Sequence, residues 1–262
     1  MNYTIYQVDA FAEKLFTGNP AAVVPLNQWL PDELLQKIAT ENNLAETVYY
    51  IVKDHSIEIR WFTPNTEVDL CGHATLAAAF ILNKQEGYPN TIIPFYSPRS
   101  GDLPVSVKEN LYTMDFPCDS IQDVPLTNEL ISTTSIKPVR AFKGKTDYML
   151  VFDKQEDIET MKPNYSVIQT LDARGLIVTA KGKECDFVSR FFAPQCGINE
   201  DPVTGSAHTT LTPYWSEVLN KKSLTATQLS SRKGKLSCVL NKDRVEITGQ
   251  AVLYMKGKIE IQ

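Results

Sequence analysis

Arg60-Trp61-Phe62-Thr63-Pro64, with Gly72-His73-Ala74-Thr75-Leu76 beginning eight residues after the proline, decides the fold because the chain writes it twice. Arg190-Phe191-Phe192-Ala193-Pro194 lies 130 positions downstream, and Gly205-Ser206-Ala207-His208 begins eleven residues after that second proline. An earlier landmark, Val8-Asp9-Ala10-Phe11, returns as Val139-Arg140-Ala141-Phe142 at an offset of 131. Three landmarks in one order at nearly one offset mark an internal duplication. The shift to 133 at the glycines makes the second loop three residues longer. The halves are placed at 1–117 and 118–250, the first completed by a closing strand at 251–262, with Phe116-Pro117 and the loop-like CDSIQDVP at the join.

Within each half the pattern predicts strands surrounding one long helix. YTIYQVDAF, ETVYYIVKD, SIEIRWFT, TIIPFYS, LPVSVKEN and LYTMDF read as strands. PDELLQKIATENN reads as a helix opened by Pro31, with acids in its first turn. The segment from Gly72 is apolar around most of its circumference and therefore central and buried. The second half repeats this with YMLVFD, a helix near YSVIQTLDARG, LIVTAK, DFVSRFFA and the helix from Gly205. Strand runs follow one another directly, which favours α+β over a parallel strand–helix alternation. Pro213 falls inside the second central helix, where it should remove one hydrogen bond and bend the axis.

Composition narrows the function. The chain has 262 residues, 43% hydrophobic and 22% charged, with a net charge of −5. No basic run supports a nucleic-acid or anionic-membrane partner. The longest apolar run, Ala74–Leu82, is far below the roughly 18 residues of a membrane span. MNYTIYQVDAF reads as a strand rather than a secretory signal. Five cysteines without a C-x-x-C motif argue against a disulfide framework or structural zinc, so a cytoplasmic location is expected.

Helix N-termini carry unpaired N–H groups and the positive dipole end, so they take up carboxylate or phosphate. Each half offers one, at Gly72-His73 and Gly205-Ser206, where glycine permits close approach. A pseudo-twofold would bring both to one cleft and hold a small acid from two sides. The flanking candidates are Cys71 and His73 in the first half, and Asp201 and Ser206 in the second. Glu46 stands in NNLAETVYY, whereas the matching region of the second half has no glutamate there, a departure from repeat symmetry that points to a task. A helix N-terminus lowers an imidazole's pKa, so His73 is expected to be neutral. Asn19, in the turn TGNPAAVV, is a candidate substrate contact. Cys71 is a candidate reactive thiol, with a small buried filler as its plainer reading. His208, two residues beyond Ser206, is read as structural.

DAFAEKLFTGNPAAVV, NNLAETVY, RWFTPNTEVDLCGHATLAAA and RFFAPQCGINEDPVTGSAH resemble the phenazine-biosynthesis, PhzF-like, isomerase family, built on the diaminopimelate epimerase fold. The resemblance spans both halves. It implies two similar domains, each a barrel-like, mostly antiparallel sheet around a central helix, facing across an active site, with no metal or organic cofactor. It implies Glu46 as the acid/base, His73, Asp201 and Ser206 as polar groups about the substrate, and Gly72 and Gly205 as backbone donors. The expected activity is a proton-moving isomerase acting on a small carboxylate-bearing metabolite, with a homodimer as the expected assembly. Related epimerases invert carbon with two cysteines; Cys71 matches the first, but Asp201 stands where the second would be. A non-catalytic small-acid binder of the same fold and a Cys71-based epimerase or hydrolase remain as alternatives.

Overall fold

Pro20-Ala21-Ala22-Val23-Val24 has no polar face, as a strand requires when both of its sides are covered. The computed structural model, which describes residues 1–261, gives it that place. The chain divides into two units, residues 1–115 with those from 248 onward, and Phe116–Ile247. In chain order the first unit contains β1 (Asn2–Ala10), β2 (Asn19–Leu26), α1 (Asp32–Asn42), β3 (Glu46–Val52), β4 (Ile57–Phe62), β5 (Glu67–Val68), α2 (Gly72–Lys84), β6 (Ile92–Ser97), β7 (Gly101–Lys108) and β8 (Leu111–Pro117). The second contains β9 (Gln122–Val124), α3 (Asn128–Ser132), β10 (Arg140–Lys143), β11 (Asp147–Val151), α4 (Gln155–Thr160), α5 (Tyr165–Ile168), β12 (Gly175–Lys181) and β13 (Phe187–Ala193). It continues with β14 (Ile198–Asp201), α6 (Gly205–Leu219), β15 (Ser223–Gln228), β16 (Gly234–Asn241) and β17 (Arg244–Gly249), after which β18 (Ala251–Glu260) returns to the first unit beside β1.

The fold class is α+β, with mostly antiparallel strands and few helices. In the first unit β1–β2 is antiparallel, β2–β3 parallel, β3–β4 and β4–β5 antiparallel, β4–β6 parallel and β6–β7 antiparallel. In the second, β10–β11, β11–β12, β12–β13, β13–β14, β13–β15 and β15–β16 follow the same series of directions. The duplication read from Arg60 and Arg190 is therefore a duplication of pairing pattern.

The repeated arginines have a structural task. Arg60 donates through Nε and Nη2 to the two carboxylate oxygens of Glu67 at 2.7 and 2.9 Å, and Arg190 makes the same fork with Glu200 at 2.7 and 2.9 Å. Glu67 and Glu200 are 133 positions apart, the offset of the helix glycines. Each fork ties a strand to the short partner that leads into a central helix, β4 to β5 before α2 and β13 to β14 before α6. Such bidentate pairs add directional specificity to charge.

Both central helices are buried as their composition demands. Nine residues of α2 are inaccessible, from His73 to Leu82, and the helix packs on β1, β2, β3 and β18. On the other side of β2 and β3, Ala22, Val24, Tyr49 and Ile51 join Leu35, Ile38 and Ala39 of α1 in a core. In α6, Trp215 stacks on Phe187 and donates Nε1–H to Thr179 Oγ1 at 2.9 Å.

One expectation needs revision. The helix near YSVIQTLDARG is only α5, four residues long, capped by the Asn164 side chain. The amides of Thr170 and Leu171 bond back to Val167 and Ile168, so the chain leaves in tight turns. Pro213 lies inside α6, yet the Thr209 carbonyl that it cannot serve accepts the Asp119 backbone N–H at 3.2 Å. The lost helical bond is thus replaced from outside the helix. Among the described residues no helix is long and apolar enough to cross a membrane.

Candidate active site

Two strand starts and one helix start meet in the first unit. Asn19 opens β2 and Glu46 opens β3; the strands run parallel with Ala21 opposite Glu46, so both polar residues lie at the same end. Chain direction is set on each approach. Asn43 ends α1 in the left-handed conformation, φ 49°, which turns the chain toward β3. Gly18, φ +68°, precedes Asn19, and a Cβ there would lie 2.1 Å from the Ala10 carbonyl oxygen. Along β3 Tyr49 and Ile51 face α1; strand alternation then places Glu46 on the opposite face, the side that carries α2.

The imidazole of His73, in the first turn of α2, is held at both nitrogens. Nε2 lies 3.1 Å from Glu46 Oε2, an ion-pair distance that lies off the line of a hydrogen bond. Nδ1 faces Asn19 Nδ2 at 3.2 Å and Cys71 Sγ at 3.5 Å. Asn19 is fully buried, and His73 and Cys71 are 5% and 7% exposed. Asn19, Glu46, Cys71, Gly72 and His73, expected as site residues, are thus brought together.

The expected neutral His73 is corrected. Burial alone would lower it, but the sulfur of Cys71 and the carboxylate of Glu46 outweigh burial and hold the imidazole well above its usual value. A charged partner at contact distance overrides the helix dipole, whose effect is spread over a turn. Cys71 moves the other way from a reactive thiol: burial first, then the Glu46 charge, push it up against the opposing influence of His73. Protonation of the three groups is coupled.

The donor atoms of Glu46, Cys71 and His73 lie within 4.8 Å of one another, the spacing of a metal site. However, sulfur and carboxylate face opposite edges of one ring, Nδ1 and Nε2. The imidazole thus stands between the two other side chains.

The second unit builds its helix start differently. Asp201 ends β14, and its Oδ2 accepts the Thr204 hydroxyl at 2.5 Å. Gln228 holds both ends of this turn: Oε1 accepts Thr204 N–H at 2.8 Å and Nε2 donates to the Asp201 carbonyl at 2.7 Å. Gly205 is buried and Ser206 exposed, with no side-chain cap on α6. His208 is fully buried beside Phe187, with Nδ1 2.8 Å from the Thr204 carbonyl, and burial lowers it to about 4. It is neutral and structural.

Sequence reasoning missed the positioning residues Arg60, Glu67, Arg190, Glu200, Thr204 and Gln228. The two forks carried a signal, since their acids recur at the shifted offset of the glycines. Thr204 and Gln228 are unlike their first-unit counterparts and gave none.

The duplicated α+β chain, with a carboxylate–imidazole pair at a helix start, has relatives of the same architecture. A hydroxyproline epimerase from Agrobacterium vitis superposes with a TM-score of 0.62 over 98% of this chain and 92% of that one, at 7% identity, a likeness of fold alone. The phenazine biosynthesis-like protein model matches residues 8–257. An uncharacterized isomerase of Pseudomonas aeruginosa is 47% identical over the whole of both chains. The crystal structure of a PhzF-family protein from Enterococcus faecalis superposes with a TM-score of 0.97 at 45% identity, covering 100% of each chain. The chain belongs to the phenazine biosynthesis-like (PhzF) family, and is an isomerase.

Proposed function

We propose that the protein moves a proton on a small carboxylate-bearing metabolite, with Glu46 as the acid/base. The observation that supports this most is the Glu46–His73 pair, 3.1 Å apart and largely shielded from solvent, beside the first turn of α2. Amides at Gly72 and His73 would hold the substrate's acid group and orient it; Gly205 and Ser206 offer donors of the same kind. Negative charge develops on the substrate as its proton leaves, and fixed N–H groups stabilise it without reorganising. Glu46 takes the proton from one carbon and returns it to the same or a neighbouring carbon, while His73 balances the carboxylate's charge. Asp201, held by Thr204 and Gln228, is assigned a polar role toward substrate.

A Cys71 nucleophile gains no support, because burial and the Glu46 charge both disfavour its thiolate. A pure binder would not need an acid/base group paired inside the protein. The test follows deuterium from D₂O into a panel of small carboxylic acids by mass spectrometry, alongside product analysis. Glu46→Gln is expected to lower exchange roughly 10²–10⁴-fold with ligand binding retained. Equal exchange in both proteins would remove Glu46 from the chemistry.

A further inference from the structure

Tyr50 holds a polar group that the proton chemistry does not use. Its side chain is 1% exposed, and its hydroxyl is buried without a hydrogen-bond partner. An orphaned hydroxyl of this kind costs stability unless something meets it. Tyr49 and Ile51 face α1, so strand alternation turns Tyr50, like Glu46, toward the side of α2. Along β3 the two lie roughly 13 Å apart, so the hydroxyl stands outside the candidate active site.

It faces the side of a cavity of about 430 Å³, whose lining includes Thr4, Tyr6, Pro25, Asn27, Gln28 and Glu86. Thr4 and Tyr6 flank Ile5, and Pro25 lies between Val24 and Leu26, all three in the core beneath α1. Alternation therefore points Thr4, Tyr6 and Pro25 to the same side as Tyr50, and Pro25 is the β2 partner of Tyr50 in the ladder. Glu86 follows the C-terminal end of α2, its N–H bonded to the Ile81 carbonyl at 3.1 Å. The cavity thus lies at the end of α2 away from Gly72.

Two opposite charges stand beside it. Burial first, then the Glu86 charge, raise the Tyr50 phenol, so carboxylate and hydroxyl are neighbours. Lys256 is opposite Tyr6 in the β1–β18 ladder, its ammonium 5.4 Å from the centre of the Tyr6 ring. Partial burial raises the Glu86 carboxyl, and Lys256 lowers it through space, by charge alone. A carboxylate receives an ammonium, an ammonium receives a carboxylate, and a tyrosine hydroxyl both donates and accepts. A simple amine would leave Lys256 unmatched, and a simple acid would leave Glu86 unmatched. One small molecule that meets all three groups is a zwitterion, and the volume lies at the small end of ligand pockets.

We propose that this cavity binds a free α-amino acid, its ammonium on Glu86 and the Tyr50 hydroxyl and its carboxylate toward Lys256. The side-chain amides of Asn27 and Gln28 supply donors and acceptors for a polar substituent. The site is distinct from the acid/base centre and does not rest on the reading of Glu46.

The test is calorimetric titration of the full chain with L-serine and L-glutamine, and with ethanolamine and 3-hydroxypropionate, each of which keeps one of serine's two charges. At least one of the amino acids is expected to bind saturably at millimolar concentration, to the parent and to Glu46→Gln alike. Ethanolamine and 3-hydroxypropionate are expected to bind about tenfold more weakly or worse, since each lacks one charge-assisted contact. Glu86→Gln, a change at an exposed position, is expected to weaken amino-acid binding to the same degree. Tyr50→Phe is expected to weaken it about three- to tenfold with no loss of stability in urea, because the hydroxyl removed has no partner in the free protein. No saturable binding of either amino acid overturns the proposal, as do Glu86→Gln and Tyr50→Phe variants that bind like the parent. Binding lost in Glu46→Gln would place the amino acid in the acid/base centre, and ethanolamine bound as tightly as the amino acids would make this an amine site; either result overturns it too.

Discussion

Gly18→Ala should damage both the fold and the site, by amounts that follow from the backbone. The new methyl would stand 2.1 Å from the Ala10 carbonyl oxygen and 2.9 Å from Ala12 Cβ, and φ is +68°. The left-handed conformation costs an L-residue roughly 1–2 kcal/mol. The clash is with backbone, so relief requires Asn19 and Ala10, partners at the end of the β1–β2 ladder, to part by about an ångström or more. Losing one ladder hydrogen bond adds about 0.5–1.5 kcal/mol. The sum, about 2–3 kcal/mol, should appear as a lower urea midpoint with an unchanged slope. Asn19 is the next residue, so its amide should also leave Nδ1 of His73, and the His73 ¹⁵N resonances should shift. A variant within about 0.5 kcal/mol of the parent, the ordinary range for surface changes, would refute the account of Gly18. Lost stability with unmoved His73 resonances would refute the link from the turn to the site.

Arg190→Met should cost about 2–4 kcal/mol, because it strips Glu200 of its fork and the Ile158 and Met161 carbonyls of their donor; urea unfolding measures this, and Glu200→Gln should cost less. His208, neutral in the fold and lowered to about 4 by burial from the ordinary histidine value of 6.5, makes the unfolded chain the better proton binder between those values. Stability should fall by about 3 kcal/mol as pH drops from 6.5 to 4, and His208→Gln should flatten that part of the profile. For His73, raised in the fold, the sign is opposite: its contribution is full below pH 6.5 and disappears as pH rises through its folded value. Glu46→Gln should weaken this dependence, which paired unfolding curves would show.

The duplication was legible because Arg60 and Arg190 stand in strands whose neighbours alternate or run apolar, and because each precedes a glycine-opened helix. Glu46 was legible for a different reason, the absence of a counterpart in the second half. The upward shift of His73 was not, since it depends on the Cys71 sulfur at one edge of the ring and on Glu46, 27 positions away in sequence and 3.1 Å away in space. Nor could the sequence show that the Cys71 sulfur lies against that ring, because its side-chain direction is settled by tertiary contacts. The short α5 was over-read: YSVIQTLDARG has enough apolar spacing for a helix, but β-branched Val167, Ile168 and Thr170 favour it weakly.

The bond from Asp119 to the carbonyl left open by Pro213 has a mechanical consequence. Along an ordinary helix one turn is much like the next, so a packed neighbour can slip by a turn at modest cost. In α6 a single carbonyl, that of Thr209, takes its proton from outside, and the Asp119 carboxylate engages the adjacent Thr210 hydroxyl at 2.8 Å. These two contacts key the segment at Asp119 to one position along the axis, so that α6 can neither ratchet nor rotate against it without breaking both. The proline gives the helix a notch, and through it a single allowed register.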